Sequence, residues 1–68
     1  MIIHTGNIAS IHNGRPANYK ILVHRIDAGV LATLYRNGVF IHYSEWTPEE
    51  QKYAAQMIEI ATRPAEEE

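Results

Sequence analysis

Between Tyr19 and Tyr43, apolar residues fall at odd and even positions alike, in short runs cut by glycine-containing turns. After Thr47 they recur every three to four residues. The first pattern predicts strands, the second a helix. The clearest strand pair is Val30–Arg36 with Val39–Tyr43, rich in β-branched and aromatic side chains and separated by Asn37-Gly38. Asn-Gly suits a type I′ turn, whose two central residues both need positive φ, so the register follows. Arg36 should face Val39, Tyr35 Phe40, Leu34 Ile41, Thr33 His42 and Ala32 Tyr43.

A preceding strand is expected over Tyr19–Ile26. Asp27-Ala28-Gly29 reads as a three-residue loop with glycine in the left-handed region, which would pair Ile26 with Val30. Upstream, Ile8–His12 is a further short strand, and Asn13-Gly14-Arg15-Pro16 an irregular lead into Tyr19. The helix start is explicit. Thr47-Pro48-Glu49-Glu50 supplies a capping hydroxyl, a proline at the first helical position and a glutamate three residues past the cap. Tyr53, Ala54, Met57, Ile58 and Ala61 then share one face, and Arg63-Pro64 ends the helix. The expected fold is α+β: a three- to four-stranded antiparallel β-meander followed by one C-terminal amphipathic helix packed on one sheet face.

With these registers one face carries Leu22, His24, Ile26, Val30, Ala32, Leu34, Val39, Ile41 and Tyr43. The other carries Tyr19, Ile21, Val23, Arg25, Leu31, Thr33, Tyr35, Phe40 and His42. Both are apolar, whereas a sheet with one wet face should alternate apolar with polar residues. A helix of about four turns covers one face only. A two-residue turn before Val30 would swap the first strand's memberships and still leave both faces apolar. Three things are able to cover the second face: residues 2–12 folded back over it, a second copy of the chain, or another protein.

Size strengthens the mismatch. Sixty-eight residues make one domain, over residues 1–64, with 65–68 an acidic tail. So short a chain buries little surface, and its zero cysteines remove disulfides as a support, leaving association as the favoured one. Charge is unevenly spread. Residues 1–43 hold Arg15, Lys20, Arg25 and Arg36 against Asp27, while residues 44–68 hold seven glutamates against Lys52 and Arg63. No apolar run nears the roughly 20 residues of a membrane span, and Met1–Gly6 lacks the basic and apolar regions of a signal peptide. A cytoplasmic protein is expected.

Candidate chemistry is thin. His4, His12, His24 and His42 lack the close ligand pair that seeds a zinc site, so no metal or other cofactor is expected. Ser10 and Ser44 show no base with an orienting partner, and no phosphate loop or paired carboxylates stand out, so neither enzyme activity nor a small-molecule substrate is expected. Glu50 is explained by its capping role, and Trp46 by packing where the chain meets the helix. The function that fits best is a non-enzymatic protein–protein interaction module, homodimeric or an inhibitor or adaptor that occludes a partner. Its contacts would be Tyr19, Arg25, Tyr35, Phe40 and His42, with Arg36 at the hairpin tip. The alternative is a small nucleic-acid-binding regulator, with Tyr19, Tyr35, Phe40 and Trp46 as a stacking platform beside Arg15, Lys20, Arg25 and Arg36. In size and lack of motifs the chain looks like the short inhibitors of phages and mobile elements, anti-CRISPR proteins among them. That likeness implies an interaction role and singles out no residue.

Overall fold

Two Asn-Gly pairs set the sheet. In a computed structural model, which describes residues 1–63, both pairs sit in the left-handed region: Asn13 and Gly14 at φ 54° and 76°, Asn37 and Gly38 at 53° and 83°. Each closes a two-residue hairpin, as type I′ turns do. The strands are β1 (Ile2–His12), β2 (Arg15–Ile26), β3 (Gly29–Arg36) and β4 (Val39–Ile41), antiparallel and neighbouring in sequence order. A single 3-10 turn, Tyr43–Glu45, leads to the helix α1 (Pro48–Thr62). This is the expected α+β meander with a C-terminal helix on the sheet. The expected acidic tail, 65–68, lies outside the described residues.

Three expectations about the strands need correction. The Asn13-Gly14 pair is a hairpin turn, so β1 runs the full eleven residues and β2 starts at Arg15 rather than Tyr19. Pro16 does not prevent this. It faces Ile11, one step from the turn-closing pair His12–Arg15, where β2 makes no bond to β1; β3 ends opposite Tyr19, so no ladder bond is lost. The turn before β3 has two residues, Asp27-Ala28, and pairs Ile26 with Gly29 and Arg25 with Val30. Positive φ falls on Gly29 alone, at 136°. β4 stops at Ile41, so the Thr33–His42 and Ala32–Tyr43 pairs do not form. His42 instead caps the 3-10 turn, its Nδ1 accepting from the Ser44 N–H at 3.2 Å.

The one-residue change in register swaps the faces of β2. Tyr19, Ile21 and Val23 lie under α1, beside Ala32, Leu34 and Ile41. Leu22, His24 and Ile26 join Leu31, Thr33, Tyr35 and Phe40 on the other side. The core beneath the helix is Ala17, Tyr19, Ile21, Leu34 and Ile41, with Ile8, Ala32, Trp46, Tyr53 and Met57 packed around it. Ala54 is buried there, and Gly6 gives the helix room: a Cβ on it would lie 2.1 Å from the Met57 Sδ.

The N-terminal residues do not close the second face. β1 lies in the sheet, hydrogen-bonded edge to edge with β2, and Met1 continues the ladder through its amine and carbonyl to Arg25. A strand spent on in-plane pairing is not available as a lid.

Candidate interaction surface

The face left open by α1 is built from alternate residues of all four strands. Its middle is Leu22, Leu31, Tyr35 and Phe40; Ile2 and Ile26 extend it at one end, and Lys20 stands beside Tyr35. Tyr35 and Phe40 occupy directly opposed positions, as the Asn37-Gly38 turn predicts. Their rings meet edge to face with centroids 5.8 Å apart. That geometry is favourable for two aromatic quadrupoles, so the pair holds itself in place without a helix above it. Phe40 remains 53% exposed, Ile2 51% and Leu31 41%. His24 and Thr33 share a hydrogen bond of 3.0 Å between Nε2 and Oγ1, which supplies a polar spot within the patch.

Of the six expected contact residues, only Tyr35 and Phe40 are brought together here. Tyr19 is buried beneath the helix, a consequence of the shifted register. Arg36 is on the same covered side, opposite Tyr19 and Val39. Arg25 shares that side by register but is exposed at the far end of β2. His42 lies beyond β4 and is exposed, its Nδ1 2.9 Å from the Ser44 Oγ. The wider aromatic platform divides likewise, since Trp46 packs on the core and donates from Nε1 to the Ile41 carbonyl at 3.0 Å.

The covered side holds a polar cluster that the sequence reading missed. Glu50, the capping-box residue, is fully buried. One oxygen accepts from the Thr47 N–H at 2.9 Å; the other accepts from the Tyr19 hydroxyl at 2.8 Å and the Arg36 guanidinium at 2.5 Å. His12 Nδ1 is 3.6 Å from that second oxygen. Nearby, Tyr53 bonds Ser10 at 2.7 Å and tilts its ring against Tyr19. No motif spacing links these residues; the signal was a carboxylate on the helix's first turn above a strand arginine.

Burial works against the Glu50 charge, yet the Thr47 N–H, the Tyr19 hydroxyl and Arg36 together outweigh it and hold the carboxyl below its ordinary range. Tyr19 is pushed up to about 12, by burial first and then by the Glu50 carboxylate. Arg36 is raised although burial opposes its charge, because Glu50 overcomes that cost. A perturbed buried carboxylate is a usual mark of an active site. Here, however, the oxygens are engaged by the protein itself, and the arrangement ties α1 to β2 and β3. Among the described residues there is no cluster of three metal-ligating side chains, and no helix is long and apolar enough to cross a membrane. No family model, no curated protein and no solved structure matches this chain.

Proposed function

We propose that this chain is a non-enzymatic protein-interaction module that lays the open face of its sheet against another protein. The observation that carries the reading is the exposure of Leu31, Phe40 and Ile2 around Leu22 and Tyr35, on a face that neither α1 nor β1 covers. A soluble chain keeps few such contiguous patches, and those it keeps mark binding surfaces. The patch has the make-up of an interface centre, aromatic and aliphatic with few charges. The partner it fits has an apolar surface rimmed by carboxylates, which Lys20 would meet. The sharpest version is an inhibitor that occludes its target, of the anti-CRISPR kind; small size and the lack of catalytic motifs support it.

Affinity capture from the native host tests the reading, with wild type compared against Tyr35→Thr/Phe40→Thr and a helix-surface control, Gln51→Glu. Both replacements in the double variant favour strands, so the sheet is kept while the aromatic area is lost. A protein retained by wild type and control but not by the double variant supports the module. Retention by all three places the contact elsewhere.

One observation favours a second reading. Lys20, Tyr35 and Phe40 stand in line across β2, β3 and β4, a cation beside two stacking surfaces. A small nucleic-acid-binding regulator would use them for base stacking and phosphate contact. It would bind mixed DNA or RNA with an affinity that falls steeply as salt rises, and a flat titration removes it.

A further inference from the structure

The two edges of the sheet differ sharply. β4 is three residues long and ends at Ile41, after which His42 caps the turn into the 3-10 segment, so it offers little backbone to a neighbour. β1 is eleven residues long, Ile2–His12, and contains no Asp, Glu, Lys, Arg or Pro. Those are the devices by which soluble proteins blunt exposed edges, and a long edge without them is a template for another strand.

The free hydrogen-bonding groups of β1 are identifiable. His12 and Arg15 close the first turn as a bonded pair, so bonded and non-bonded pairs alternate from there and the even-numbered residues of β1 bond to β2. The bond from Asn37 N–H to the Asn18 carbonyl and the Met1–Arg25 bonds agree with this phase, even residues of β2 facing β3 and odd ones facing β1. The outward N–H and C=O groups therefore belong to Thr5, Asn7, Ala9 and Ile11. None of them has a partner among the described residues. The register slip at Ile3 and the Asn13-Gly14 turn bound this stretch of unbroken register, whose midpoint is Ile8.

We propose that β1 pairs antiparallel with β1 of a second copy about a two-fold axis through Ile8, joining two four-stranded sheets into one of eight strands. This register engages every outward group, Thr5 opposite Ile11 of the second copy and Asn7 opposite Ala9. A second copy is the occupant because two-fold pairing sets the strand against itself, and a charged strand would meet its own like charges. A strand free of formally charged side chains avoids that cost along its whole length. At the crossing Ile8 meets Ile8 of the second copy, flanked by Asn7 and Ala9, and none of these side chains is charged. The contact is independent of the open face, and it sets two copies of that face side by side.

Sedimentation and amide exchange test the pairing. Wild type should sediment at twice its 7.7 kDa and dissociate over a roughly hundredfold dilution series. Ala9→Lys puts a charge at the crossing. Ala9→Pro removes an outward N–H without touching a bond to β2, and both variants should sediment as monomers with wild-type circular dichroism. In wild type the Asn7 and Ala9 amides should exchange at least about tenfold more slowly in the dimeric range than when diluted. A concentration-independent monomer, fast exchange at these amides throughout, or dimers that survive both substitutions would overturn the proposal. So would a dimer abolished by Tyr35→Thr/Phe40→Thr alone, because the open face would then be the dimer contact.

Discussion

The two faces of the sheet are made from similar side chains and end in opposite conditions. Ile21 and Leu34 are completely buried; Leu22 is one residue from Ile21, and Leu31 three from Leu34, yet these lie on the side with no lid. Hydrophobicity does not separate the faces. What separates them is helix α1, the glycine at position 6 that lets Met57 approach, and the Glu50 cluster that fastens the helix's first turn. A strand's composition therefore states that its residues prefer burial, while the number of covering elements decides which of them obtain it within the chain.

The comparison is broken most severely by detaching the lid. Glu50→Ala removes half of the capping box and leaves Arg36 facing an emptied, partly buried site, so the chain should lose about 4 kcal/mol in urea unfolding. Glu50→Gln should cost less, since its amide oxygen still accepts a hydrogen bond. Leu34→Ala, under the middle of the helix, should cost about 3 kcal/mol through lost transfer energy and a cavity.

Acid is a gentler form of the first substitution. The folded-state pKa of Glu50 is lowered, so its contribution is fully present above the ordinary glutamate value of 4.5 and is lost as pH falls through the folded pKa. Tyr19 has the opposite sign. Raised from 10.0 to about 12, it contributes fully below pH 10 and loses that contribution as pH rises through 12. Stability measured between pH 6 and 9 should accordingly show no dependence on either group, and Glu50→Gln should flatten the acid limb.

Smaller effects sharpen the contrast. Gly6→Ala should cost about 1 kcal/mol, since the Met57 side chain has to move aside, and a double-mutant cycle with Met57→Ala should show the two changes coupled. Leu31→Ala, on the same strand as Leu34 but facing the other way, should cost below about 1 kcal/mol.

Elements with local causes were legible in the sequence. The Asn37-Gly38 hairpin and its first three pairs, the Thr47–Glu50 capping box and the order of strands and helix all follow from short-range chemistry. Face membership was not, because a single residue of turn length at Asp27-Ala28 decides which half of β2 is buried, and glycine at position 29 suits either loop. Asn13-Gly14 carried the same turn signal as Asn37-Gly38, but Pro16 two residues on read as a strand breaker. Only the absence of β3 on that flank makes it harmless. The Glu50 cluster joins a helix cap to residues 14 to 38 positions earlier, and nothing local announces so long a connection. Tyr35 and Phe40 remain the part of the expected surface that the fold assembles.

The urea midpoint of Tyr35→Thr/Phe40→Thr tests the central claim most directly, that the aromatic face is kept for something outside the chain. If it is, the isolated variant should keep its far-ultraviolet dichroism and its unfolding slope and lose about 1 kcal/mol or less, the value of one edge-to-face pair. A loss of about 3 kcal/mol or more, with a changed slope, would contradict the claim, because it would place both rings in a core that the chain closes by itself.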